Sequence, residues 1–178
     1  GLLERALELT RPTRLDVVLE LNLANAILAQ DGARAVAIAD AVAERARAAG
    51  DRTGELVARL GAAGLRVRGS GWSGSDPSPD ELEQLAREAL PRLEQEGDHA
   101  HLAIVWGVRI MVPYLRNRFE DVAVAAERSV AHARLAGWHE SAPIVLATAL
   151  VCGPRPAGET LRALDALLPK HPHPWLLM

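Results

Sequence analysis

The sequence predicts an all-α protein, a superhelical array of antiparallel helix hairpins, on three observations. Apolar residues recur at three- and four-residue spacing nearly throughout, and no segment keeps the alternation of a strand. Roughly a third of the 178 residues are Ala or Leu while aromatics reach only 3%, a bias toward helices. Helix stops also recur at a regular interval, the mark of stacked hairpins.

Each element has its own local signals. Leu15, Val18, Leu19, Leu23, Ala26 and Ile27 form one stripe of a helix over about 13–29, with Thr13 and Asp16 as cap and capping partner. Gln30-Asp31-Gly32 breaks it, and Val36, Ala39, Val42, Ala43 and Ala46 mark the next helix, which stops at Gly50. A third runs over about 53–68 through Leu56, Val57, Leu60 and Leu65, weakened by Gly61 and Gly64. Residues 69–78 are rich in Gly and Ser and read as a flexible loop insertion. Ser78-Pro79-Asp80-Glu81 restarts a helix with Ser as N-cap, Pro at N1 and Glu at N3. That helix carries Leu82, Leu85, Ala89 and Leu93, ends at Gly97, and is expected to kink at Pro91 unless packing compensates. Helices over about 100–116, 119–136, 140–152 and 157–168 complete the chain, with breaks at Asn117, Gly137 and Gly153-Pro154-Arg155-Pro156.

Hairpin ends fall near Arg11-Pro12, Gly50, Gly97, Gly137 and Lys170, at intervals of roughly 39, 47, 40 and 33 residues. Without the loop the period is about 40. A related phrase recurs at three of these ends: Ala49-Gly50-Asp51, Glu96-Gly97-Asp98 and Ala136-Gly137-Trp138. The expected organisation is one segment over 1–178, about four hairpins and a half. Both termini are apolar, Gly1-Leu2-Leu3 and Trp175-Leu176-Leu177-Met178. Natural arrays end in polar caps, so the expectation is a fragment of a longer chain, with homodimerisation through uncapped ends.

Composition excludes several classes. Net charge is −3, against a general nucleic-acid binder. The single Cys152 rules out an internal disulfide framework and fits a reducing, cytoplasmic setting. No apolar run approaches the length of a membrane span. The excess of Ala and Arg, with Lys170 the only lysine, is explained as well by a GC-rich genome as by function.

Several phrases carry a family resemblance. Ala29-Gln30-Asp31-Gly32-Ala33-Arg34-Ala35 resembles an inter-helix turn written Ala-x-Gly-Asp-x-x-x-Ala. Leu115-Arg116-Asn117-Arg118-Phe119-Glu120-Asp121 resembles a Leu-x-Gly-Arg-Phe-x-x turn, with Asn117 where Gly is usual. Gly153-Pro154-Arg155-Pro156-Ala157-Gly158-Glu159 resembles a Gly-Pro-Thr-Pro-Val-x-Glu phrase. Together they resemble the tetratricopeptide-like (TPR-like) helical repeat region of bacterial ATPase-type transcriptional regulators and adenylate-cyclase-type signalling ATPases. The period departs from the 34 residues of the strict repeat. The resemblance implies a regulatory role: a surface that receives a signal and biases a linked ATPase or DNA-binding module.

Candidate sites are few. Gly69-x-Gly71-x-x-Gly74 matches a dinucleotide fingerprint as a string, but it lies between helices and lacks the strand that chemistry needs, so no cofactor is expected. His99, His101, His139, His171 and His173 fall just after second helices and read as exposed turn residues, with no metal expected. Carboxylates such as Glu44, Glu55, Glu83 and Glu88 sit opposite the apolar stripes and read as a solvated face rather than a catalytic pair. The most suggestive segment holds Trp106, Arg109, Met111, Tyr114 and Arg116, with Arg59, Arg66 and Arg68 one repeat earlier. First helices of such hairpins line a groove, so Trp106, Arg109, Tyr114, Arg116 and Arg66 would make it basic and fit for an acidic peptide or an anionic small molecule. The plainer reading makes Trp106 and Met111 core and lets the arginines snorkel. Pro113 is expected to kink this helix.

The expected function is a non-catalytic interaction or sensor region that binds a protein or peptide partner through its groove or ends. The alternative is an effector-binding region that holds a small metabolite and passes its occupancy to a linked ATPase.

Overall fold

Every regular element among the described residues is an α-helix. The computed structural model describes residues 15–69, 78–138 and 142–167. The helices are α1 (Leu15–Ile27), α2 (Gly32–Ala48), α3 (Arg52–Gly69), α4 (Pro79–Glu96), α5 (His99–Arg109), α6 (Met111–Leu115), α7 (Phe119–Leu135), α8 (Ala142–Cys152) and α9 (Ala157–Leu167). The Thr13–Asp16 cap, most of the loop and the two apolar ends lie outside the described residues. Backbone contacts divide the chain into two units, Gly1–Gly97 and Asp98–Met178.

The recurring phrase is one turn device. Gly50, Gly97 and Gly137 have φ of 71°, 66° and 79°, a left-handed conformation that glycine adopts without steric cost. At Gly50 and Gly137 the next residue closes the turn, Asp51 N–H donating to the Ala46 carbonyl at 2.9 Å and Trp138 N–H to that of Ala133 at 2.8 Å. Where Asp follows Gly it also opens the next helix. Asp51 Oδ1 accepts from the Gly54 amide at 3.0 Å and Asp98 Oδ1 from the His101 amide at 3.1 Å. Asp31 and Ser78 cap α2 and α4 in the same way, accepting from the Arg34 and Glu81 amides.

In the first unit α3 is the central helix, packed against α1, α2 and α4. Leu56, Leu60, Leu65 and Val67 are buried, and Arg59 is the one exposed residue between Thr53 and Leu65. The glycines that weaken α3 as an isolated helix are what its packing uses. A Cβ at Gly61 would stand 2.7 Å from Leu21 Cδ2 on α1, and one at Gly54 would stand 3.3 Å from Val17 Cγ2. Ion pairs stitch the same helices. Buried Glu20 on α1 pairs with Arg45 on α2. Arg66 on α3 reaches both carboxylate oxygens of Asp40 on α2, at 2.7 and 2.8 Å. Arg52 Nη1 holds Glu55 at 2.9 Å, and its Nη2 approaches Glu88 on α4 at 3.5 Å.

The second unit is built on α7, which packs against α5, α6 and α8, while α9 packs on α8. Leu102, Val105, Met111, Val112, Val122, Ala126 and Val130 form its core. Buried Ser129 on α7 donates to the Ala103 carbonyl on α5 at 2.9 Å.

The two prolines behave differently. Pro91 was expected to kink α4 unless packing compensated, and the helix runs through it. It lies on the exposed face, while Leu82, Leu85, Ala86, Ala89 and Leu93 hold both halves of the helix in the core. Pro113 does interrupt its helix, which divides into α5 and α6 at Ile110. Proline has no N–H to give the Arg109 carbonyl, so the ladder lapses although Ile110 keeps helical angles (φ −52°, ψ −35°). Among the described residues no helix is long and apolar enough to cross a membrane.

Candidate functional site

Helix α5 starts at the Asp98 cap and turns Leu102, Val105 and Trp106 into the core of the second unit. Trp106 is only 8% exposed, as the plainer sequence reading holds. Its ring nevertheless organises two cations. Arg109 Cζ lies 4.5 Å from the ring centroid and Arg128 Cζ, from α7, lies 4.8 Å from it. Both are within cation–π range. The indole Nε1–H is buried without a hydrogen-bond partner, so this ring is held by packing and by its two guanidiniums.

The structure therefore brings Trp106 and Arg109 together and adds Arg128, which the sequence reading missed. Arg128 sits at the edge of the α7 stripe, one position before buried Ser129. That position was legible, but its partner on another helix was not. Tyr114 is 43% exposed and packs edge-to-face on Phe119, with centroids 6.1 Å apart. Arg116 is exposed at the end of α6. Arg66 belongs to the first unit, where Asp40 holds it.

That first unit contains a cavity of about 400 Å³ between α2, α3 and α4. Ala43, Ala62, Ala63 and Leu85 form its apolar lining, and Asp40, Glu44, Glu55, Glu81, Arg59 and Arg66 its charged lining. Around Arg59 and Arg66 this cavity is of mixed charge: four carboxylates face two guanidiniums. Arg68 does not line it; its Nε donates to the Gly64 carbonyl at 3.3 Å, and burial lowers its pKa below the ordinary arginine value. Most of the lining charge is matched locally, Asp40 by Arg66, Glu44 by Arg47 and Glu55 by Arg52. Arg59 and Glu81 carry side chains with no ion pair among the described residues.

Of the histidines read as exposed turn residues, the two described ones, His99 and His101, are not exposed. His101 is buried, its Nδ1 2.6 Å from Asp98 Oδ2 and its Nε2 without a partner. The Asp98 carboxylate thus favours a proton on Nδ1. His99 is half-buried, and its Nδ1 lies 3.1 Å from Nδ1 of His132 on α7. The ring centroids are 5.3 Å apart, close to that N···N distance plus the two ring radii. The nitrogens therefore face each other head-on, as in an N–H···N hydrogen bond, and not converging on a third point as two ligands of one ion would. No group of three or more metal-ligating side chains occurs among the described residues. His139, His171 and His173 lie outside them. Cys152 is a free, half-buried thiol whose pKa burial raises, which keeps it protonated and unreactive near neutral pH. Compared with family models, curated proteins and solved structures, the chain matches none.

Proposed function

We propose that this chain is a non-catalytic protein-interaction or sensor region of a bacterial signalling or transcriptional regulator, a TPR-like hairpin array that works in the cytoplasm. Its partner is an acidic peptide segment that docks on the Trp106 face. The observation that carries this reading is the stacking of Arg109 and Arg128, from two helices, on one buried indole. A ring orders a guanidinium without itself being a counter-ion, so the stacked pair presents ordered N–H donors, Arg128 from the exposed side of α7, and charge-assisted bonds from such groups to carboxylates are strong. Arginine beside a buried aromatic is also the composition of binding hot spots. The recurring left-handed glycine turn supports a repeated hairpin, since one backbone conformation serves at Gly50, Gly97 and Gly137.

The test is binding of a fluorescent library of Asp- and Glu-rich peptides, each compared with its Asn and Gln counterpart. Acidic members should bind at least tenfold tighter, and the double substitution Arg109→Gln, Arg128→Gln should remove that preference while the protein stays folded. Equal binding of acidic and amide peptides would sink the reading. A regulator also implies that the same reading frame encodes an ATPase module, which sequencing the gene would check.

A second reading, a small-metabolite effector region, is favoured by one observation. The first unit's cavity of about 400 Å³ is within the size range of small-molecule sites.

A further inference from the structure

The cavity in the first unit has an unusual charge balance. Three of its four carboxylates are answered by arginines in or beside it. What remains is one guanidinium, Arg59 on α3, and one carboxylate, Glu81 on α4, lining the same space with no ion pair between them. Opposite charges on neighbouring helices would close into an ion pair if they could reach; here they stand further apart than an ion pair spans. The same space is also lined by the apolar surfaces of Ala62, Ala63 and Leu85.

That arrangement selects by charge pattern. A bare anion would meet Arg59 but also Glu81 and the three matched carboxylates. A bare cation would meet Glu81 but also Arg59. A molecule with both an ammonium and a carboxylate satisfies each residue with its complement and leaves the site neutral. Its remaining carbon skeleton would rest on the alanine and leucine floor, where displaced water adds to the affinity.

We propose that this cavity binds an amphoteric small molecule of the free amino-acid class, with Arg59 taking the ligand's carboxylate and Glu81 its ammonium group. The proposal rests on the effector reading and supplies the ligand chemistry that reading lacked. The Trp106 face belongs to the other unit and is not involved.

The experiment is thermal unfolding of the full chain with each of the twenty L-amino acids at millimolar concentration, and in parallel with their amides and N-acetyl derivatives. A ligand that binds only the folded state raises the melting temperature by mass action, and at saturation the expected rise is about 2 °C or more. At least one amino acid should give this shift while its amide, lacking the carboxylate, and its N-acetyl form, lacking the ammonium, do not. Arg59→Gln and Glu81→Gln should each abolish the shift. Both side chains are exposed and without ion pairs, and glutamine suits both helix positions, so the unliganded melting temperature should stay within about 2 °C. A shift that survives in either variant, or that the amide reproduces, overturns the amphoteric assignment but keeps an effector site. Silence from all twenty overturns it too. Silence from a wider panel of anionic and cationic metabolites would remove the effector reading as well.

Discussion

The two units answer their arginines differently. In the first, guanidiniums are met by carboxylates: Arg45 by Glu20, Arg66 by Asp40, Arg52 by Glu55 and Glu88. In the second, Arg118 pairs with Asp121 three residues on, but the arginines that bridge two helices, Arg109 and Arg128, stack on Trp106. An ion pair cancels charge as it stitches two helices, so the first unit's cavity is left close to neutral. An aromatic ring stitches helices without itself being a counter-ion, which is why the acidic-peptide proposal is placed on the second unit. The same turn device and the same apolar periodicity thus produce two surfaces with different preferences.

The largest expected effect tests whether the two units are energetically distinct. Leu60 on central α3 is fully buried, and Leu60→Ala should cost about 2–5 kcal/mol through lost contacts and an unfilled cavity. Native-state hydrogen exchange should show weakened protection across residues 15–97 and little change across 98–167. Equal loss in both would mean one cooperative block, and the comparison would then be of surfaces only. A medium effect separates the two ways of holding an arginine. Arg45→Ala strips an ion pair from the buried Glu20 carboxylate and should cost about 1–3 kcal/mol. Arg128→Ala removes one stacked cation and should cost about 0.5–1 kcal/mol. Urea midpoints at unchanged slope would rank them. The reverse order would show that the indole, not the carboxylate, is the stronger anchor.

Much of the fold was legible because its signals are local. Periodicity placed the helices, and Ser78, Asp31, Gly50, Gly97 and Gly137 marked ends that the structure keeps. What the sequence hid is what neighbours decide. Pro91 and Pro113 read alike, but Pro91 lies on an exposed face of a well-anchored helix while Pro113 is itself buried. Arg128 pairs with Trp106 across two helices, a contact no single-helix period contains. His101 was recoverable in principle: two residues rotate a helix position by about 200°, so His99 and His101 cannot share a face, and one of them turns inward. The mixed charge around Arg66 was hidden for a related reason, since Asp40, which answers it, and Glu81, which shares its cavity, come from other helices.

The smallest expected effect concerns the turn after α6. Asn117 has φ of 55°, the one non-glycine residue with positive φ among the described residues. Its turn has the same closing bond as the turns at Gly50 and Gly137, Arg118 N–H to the Pro113 carbonyl at 2.8 Å. For most residues this left-handed conformation costs about 1–2 kcal/mol, but a short polar side chain such as asparagine visits it more readily. Asn117→Ala should therefore destabilise by about 1 kcal/mol. Asn117→Gly should relieve the remaining strain, yet glycine also frees the unfolded chain, an opposing effect of about 0.4–1 kcal/mol. The two nearly cancel, so the expected net change is within about 0.5 kcal/mol. By contrast Gly137→Ala, at φ 79° with open space around its Cβ position, should lose about 1–2 kcal/mol from backbone strain alone. A large gain from Asn117→Gly would show that this turn is strained in a way the glycine turns are not. A negligible change would show that asparagine and glycine are interchangeable here, as the shared closing bond implies.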